Sequence, residues 1–180
     1  MNDFTTAFLV DQTSAEVFEA ITDVRGWWSG QIDGHTSQPG DEFTYRYEDL
    51  HLCRILVTEA DPGQKVTWLV LEGGPAFTRN KEEWRGTMIR FEISQIGGQT
   101  EVRFTHRGLI PRIECFGACS SAWGSYINGS LRSLITTGTG YPSPASSDSS
   151  PTGGLRTSAS APTGSLSASR PCTRGPEMRC

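Results

Sequence analysis

The chain has 180 residues, room for one ordinary domain that buries its own core without help from metals or disulfides. Its formal charge of -4, with no basic run interleaved with aromatics, excludes a nucleic-acid surface. The opening MNDFTTAFLV carries Asp3, lacks a positive start and is too short an apolar run for a signal or a span; the expectation is a cytoplasmic protein with no membrane insertion.

Residues 4–11 are β-prone. Thr13 with Glu16 three positions on predicts a capping box. Val17, Phe18 and Ile21 then share one face of a helix that runs to about Asp23. Arg25 and Gly26 should break it just before Trp27 and Trp28. From Gly40 to Leu109 the period becomes two. EFTYRY turns Phe43, Tyr45 and Tyr47 one way, and HLCRILV does so for His51, Cys53, Ile55 and Val57. KVTWLVL sets Val66, Trp68 and Val70 inward, and TMIRFEI does the same for Ile89, Phe91 and Ile93. In TEVRFTHRG, Val102, Phe104 and His106 share the inward register. The turn signals DPGQ and GGQ predict hairpins and an antiparallel sheet, and the GGP at 73–75 and GG at 97–98 read as turns.

After Pro111, apolar residues from Phe116 to Ile135 recur at steps of three and four, which predicts a helix of six or seven turns closed by Gly138. Gly117, Gly124 and Gly129 lie inside it at about 1 kcal/mol each relative to Ala. Either the sheet approaches closely there or space is left open beside the helix. The predicted architecture is α+β, a helix-grip fold. A curved antiparallel sheet of about six to seven strands wraps a long C-terminal helix, with two short helices after the first strand.

From Tyr141 the composition changes to Ser, Pro, Gly, Thr and Ala, with no Ile, Val, Phe or Trp. The expected division is a folded domain over 1–140 and a disordered tail over 141–180, a change that a reading-frame shift near the end of the gene would also produce. Up to residue 140 there are 12 basic and 18 acidic residues, so the domain is acidic at a net -6. The five cysteines are odd in number and scattered, with no C-x-x-C pair; neither a disulfide framework nor a metal site is expected. Cys115 and Cys119 would share a helix face, where free Cys packs as a small apolar residue or two thiols serve a metal.

The blocks TSAEVFEAITDVRGWWS, EFTYRYED, EWRGTMIRFEIS, TEVRFTHRGL and CSSAWGSYINGSLRSLITTGTG, in this order over residues 4–142, resemble the SRPBCC superfamily. They are most similar to its bacterial branch related to the C-terminal domain of the activator of the heat-shock chaperone ATPase. The resemblance implies a START-like, birch-pollen-allergen-like fold with a cavity between sheet and long helix. Relatives use that cavity for lipids, hormones and polyketide intermediates, and some are cyclases or aromatases. No second, amino-terminal chaperone-binding domain is read in this chain.

The resemblance places the GWW stretch near one mouth of the cavity, with one of Trp27 and Trp28 in the core and the other at the rim. Tyr45, Tyr47, Trp68, Phe104 and Trp123, all inward, would line the pocket or simply fill the core. His106 is the candidate acid/base group, unless a backbone carbonyl satisfies it. No nucleophile motif or phosphate-binding loop occurs, and no cofactor is expected. The reading is a small domain that binds an apolar or amphipathic small molecule. One alternative is a cyclase- or hydrolase-like enzyme using His106 with a Tyr hydroxyl. The other is a co-chaperone-like module that meets a protein partner through exposed acids such as Glu82 and Glu83.

Overall fold

The computed structural model describes residues 2–142, so the tail read from 141 onward lies, from 143, outside the described residues. Strand β1 (Phe4–Val10) leads into α1 (Ser14–Thr22), α2 (Val24–Trp27) and β2 (Gln31–Gly34). The strands β3 (Glu42–Tyr47), β4 (His51–Asp61), β5 (Lys65–Pro75), β6 (Met88–Ile96) and β7 (Gln99–Arg107) follow. The chain then forms one continuous C-terminal helix: α3 (Phe116–Ser125), a π-helical segment (Tyr126–Leu131) and α4 (Arg132–Thr137). The strands make one antiparallel sheet in the order β1-β7-β6-β5-β4-β3-β2, an α+β helix-grip fold.

Local chemistry sets the ends of these elements. The Thr13 backbone N–H donates to the Glu16 carboxylate at 2.8 Å while the Thr13 hydroxyl accepts from the Glu16 N–H, closing the predicted capping box. Val17 and Ile21 are buried on α1, with Phe18 half-buried beside them. Arg25 and Gly26 do not end helical structure as expected but form part of α2. The chain leaves α2 at Trp28, which is extended at φ -89 and ψ 146.

Alternation sorts the strand side chains as predicted: Phe43, Tyr45, Cys53, Ile55, Val57, Trp68, Phe91, Phe104 and His106 are buried. Gly97 and Gly98, at φ 58 and 87, make the two-residue turn between β6 and β7. Gly73 to Pro75, expected in a turn, instead belong to β5 and pair with His51 to Cys53. Gly73 takes φ 92 there, and a Cβ on it would collide with the Leu52 carbonyl. Two register shifts in the β4–β5 pairing, at Arg54/Ile55 and Val57/Glu59, are bulges of the kind that bend a sheet.

The C-terminal helix begins at Phe116, several residues later than Pro111 suggested, after a run of turns. Its buried stripe is Cys119, Trp123, Ile127, Leu131 and Ile135, a strict step of four. On a pure α-helix each such step drifts by about 40° around the axis, so five residues could not all face one sheet. The π segment takes up the extra residue and returns the stripe to the sheet. Ser130, buried within that segment, donates to the Trp27 carbonyl at 2.7 Å and accepts from the Tyr141 N–H at 2.7 Å, which fastens the helix to the end of α2.

At the helix glycines the second of the two alternatives holds. No neighbour lies within 4 Å of a Cβ built on Gly117, Gly124 or Gly129, so the sheet does not approach them. They sit away from the buried stripe, and the space beside them is open. Gly124→Ala is therefore expected to stabilise the protein by about 1 kcal/mol through helix propensity alone. Chemical denaturation of the two proteins measures it; a loss of stability would show that the glycine serves packing.

Candidate functional site

Five tryptophans meet between the sheet and the helix. Because the chain turns at the end of α2, both Trp27 and Trp28 point inward, at 0% and 2% exposure, and stack with rings 10° apart. Trp68 lies parallel to both, with ring centroids 6.3 Å from Trp27 and 6.1 Å from Trp28. Trp27 donates its indole N–H to the Ile21 carbonyl at 3.2 Å, and Phe91 meets it edge-on. Trp28 continues the stack to Tyr45 at 4.0 Å and tilts against Trp123 at 4.9 Å.

Beyond this stack lies a cavity of about 190 Å³. Trp28, Tyr45, Tyr47 and His51 form its sheet side, with Leu50 at the rim. Phe77 and Trp84 come from the β5–β6 loop. Ala118, Cys119, Ala122, Trp123 and Tyr126 form its helix side. Leu50 and Phe77 are 48% and 54% exposed, which marks the mouth. Of the residues read from the sequence as pocket-lining, Trp28, Tyr45, Tyr47 and Trp123 are brought together here. Trp27, Trp68, Phe104 and His106 are placed behind the wall as core, because the inward register of a strand does not distinguish core from cavity.

His106 illustrates the difference. Its Nδ1 accepts from the Trp123 indole N–H at 3.0 Å, and its Nε2 lies 2.9 Å from the Thr87 hydroxyl. An indole nitrogen only donates, so Nδ1 carries no proton and the ring is the neutral Nε2–H tautomer. The Thr87 hydroxyl accepts that proton's bond and donates onward to the Trp84 carbonyl at 2.6 Å. Burial, with His51 nearby, lowers the His106 pKa to about 3. Burial likewise lowers that of His51 to about 4. Both rings are neutral near pH 7, and His106 is fully bonded, so the candidate acid/base role gives way to a structural one.

The polar groups nearest the cavity are hydroxyls. Ser29, fully buried, joins the Tyr126 hydroxyl at 2.5 Å and that of Tyr45 at 3.4 Å. Burial raises the pKa of both phenols, so they stay protonated. The Cys119 thiol is also held protonated, first by its bond with Cys115 and then by burial. His51 Nε2 contacts Cys53 Sγ at 3.2 Å. Among the described residues, no group of three or more His, Cys, Asp or Glu side chains is placed to hold a metal.

The sequence reading missed Trp84 and the loop that carries it. Trp84 follows three charged residues in a segment with no periodicity, so nothing marked it as inward; a lone indole amid charges was the only signal. It is 3% exposed, donates to Cys115 Sγ at 3.2 Å, and meets His51 and His106 edge-on at 4.3 and 4.6 Å. The Glu83 carboxylate beside it accepts from the backbone N–H groups of Glu114 and Cys115 at 2.6 and 3.1 Å, at the start of α3. The Glu114 carboxylate in turn accepts from the Arg79 backbone N–H at 3.0 Å, and that of Glu82 accepts from the Gly73 N–H at 2.9 Å. Glu82 and Glu83, read as partner-facing acids, thus clasp the loop to the rest of the fold.

Two outcomes follow from this geometry. The folded-state pKa of His106 lies below the ordinary 6.5, so its contribution to stability is complete above about pH 6.5 and is lost as pH falls toward 3. In a ¹⁵N-edited NMR titration its ring should remain the neutral Nε2–H tautomer down to pH 5, and a midpoint near 6.5 would contradict the hydrogen-bond chain. Glu83→Ala should cost about 1–2 kcal/mol, as loss of a helix cap does, and should change the emission of Trp84; equilibrium unfolding followed by fluorescence checks both.

The family model for activator of Hsp90 ATPase homolog 1-like protein matches residues 11–136. None of the curated proteins matches this chain. Among solved structures, the Aha1 dimer from Colwellia psychrerythraea is similar at 23% identity and a TM-score of 0.63, over 78% of this chain and 100% of that one. DynU16, a protein of the dynemicin biosynthetic locus, is similar at 18% identity and a TM-score of 0.57, over 79% of this chain and 51% of that one. SSP2350 from Staphylococcus saprophyticus is similar at 19% identity and a TM-score of 0.56, over 78% of this chain and 96% of that one. At these identities the structures speak for the shared fold, and the family match covers most of the chain. With its seven-stranded sheet closed on one long helix, the chain belongs to the activator of Hsp90 ATPase homolog 1-like family of the SRPBCC superfamily.

Proposed function

We propose that this protein binds an apolar or amphipathic small molecule in the cavity between the sheet and the C-terminal helix. The observation that carries this reading is the cavity itself: it opens at Leu50 and Phe77 and is walled mainly by aromatic rings, with a few hydroxyls at its edge. Ligand sites combine an apolar wall with a small number of polar groups in this way. At about 190 Å³ it is smaller than sites for drug-sized ligands, which run to about 300 Å³ and above, and near the roughly 150 Å³ that accommodates a benzene. The guest is therefore a small molecule, or the end of a longer one whose remainder stays at the mouth.

Binding is favoured over catalysis because the cavity's groups are poor reactants at neutral pH. The phenols and the Cys119 thiol are held protonated, His51 is neutral, and His106 lies behind Trp84 and Trp123. No helix among the described residues is long and apolar enough to cross a membrane.

Native mass spectrometry of the full chain, beside the same sample denatured, tests the proposal. The expected result is a non-covalent extra mass, or a compound from an apolar screen that raises the melting temperature by mass action. Ala122→Leu, which grows into the cavity from the helix, should abolish that binding and leave the fold intact. A bare protein that no compound stabilises would overturn the reading.

A further inference from the structure

We infer that the cavity is a cage for an organic ammonium group whose nitrogen is fully methylated, such as the head of choline. This rests on the reading of the cavity as a small-molecule site and names the chemistry of its guest.

Wall composition is the first observation. Seven of the 12 lining residues are Trp, Tyr or Phe, and an eighth ring is His51. Ring faces carry partial negative charge, which attracts a cation and gives a neutral aliphatic guest nothing beyond contact area. Ring arrangement is the second. A flat aromatic guest calls for parallel plates with room between them; the parallel pairs here, Trp28 with Tyr45 at 4.0 Å and Trp84 with Trp123 at 5.9 Å, are too close to admit one, and other neighbouring rings stand at corners. Tyr45 and His51 meet at 80°, His51 and Trp84 at 79°, and Trp123 and Tyr126 at 78°. Corners suit a rounded guest.

Charge is the third. Among the described residues no Lys or Arg lines the cavity, so an anionic guest finds no counter-ion, while the domain to residue 140 carries a net -6. His51 stays neutral near pH 7 and does not repel a cation. No Asp or Glu among the described residues lines the cavity either. A primary ammonium, with three N–H donors and a strong hydration shell to give up, would meet hydroxyls there but no carboxylate to hold it. A trimethylammonium head has no donor to satisfy and takes its stabilisation from the rings.

The test is a titration of the full chain, followed by tryptophan fluorescence and calorimetry, with choline, tetramethylammonium and the neutral isostere 3,3-dimethylbutan-1-ol, at constant ionic strength. Choline should bind about tenfold more tightly than the isostere. Phe77→Leu keeps apolar bulk at the mouth but removes a ring, and should cut that preference about threefold. A short-chain alkyl phosphocholine below its micelle concentration distinguishes the sources: tighter binding than choline marks a lipid headgroup, weaker binding a free small cation, and both support the cage. An isostere that binds as tightly as choline overturns the cage while leaving the small-molecule reading in place. Failure of all these probes, and of 2-naphthol with them, overturns both.

Discussion

The hydrogen bond from the Trp123 indole to His106 Nδ1 ties the C-terminal helix to the sheet, and much of the interior is arranged around it. It joins the middle of the helix to the inward face of β7, and it demands a neutral imidazole with its proton on the far nitrogen. Thr87 takes that proton's bond and passes its own to the loop that carries Trp84. One chain of bonds thus connects helix, sheet and loop, each donor matched to an acceptor in a region where an unmatched one costs about 1–3 kcal/mol. Trp68 shows the contrast: its buried indole N–H has no partner among the described residues and is set between Trp27, Trp28, Phe43 and Phe91, so packing must offset that loss.

The helix meets this constraint through a change of pitch. A stripe with a strict step of four cannot keep to one side of an α-helix, yet Cys119 through Ile135 stay buried. The π segment at Tyr126–Leu131 absorbs the drift, and it also brings Ser130 to the Trp27 carbonyl. The same segment begins at Tyr126, whose hydroxyl reaches Ser29 at the cavity's edge. A feature needed for packing thereby positions part of the candidate site, in keeping with the tendency of π-bulges to occur where function is.

The cavity exists because large rings do not fill the wedge between sheet and helix near its open end. Ala118 and Ala122 are small on the helix side, and Trp84 is held at the loop side by Cys115 and the Glu83 clasp. Without that clasp the indole would keep only its bond to Cys115 and its ring contacts to hold the wall in shape. The chemistry left inside is uncharged, a property that suits recognition by ring faces and apolar contact.

Much of this was legible in the chain. Alternation from Phe43 to His106 assigned the inward faces, Thr13 and Glu16 marked the start of α1, and the ordered blocks pointed to the family. These signals are local: side-chain period, capping and turn chemistry depend on neighbours a few positions away. What the chain could not show was which inward ring meets open space. Trp68 and Tyr45 look alike by register, yet Trp68 lies within the stack while Tyr45 reaches the cavity. Trp27 and Trp28 both turned inward because α2 ends between them, and Trp84 arrived from a charged loop through contacts with Cys115 and His51. The sequence by itself determined the elements and their inner faces, whose causes are short-range. Only the tertiary structure decided where core ends and cavity begins, because that boundary depends on the separation of two layers and on a loop clasped between them.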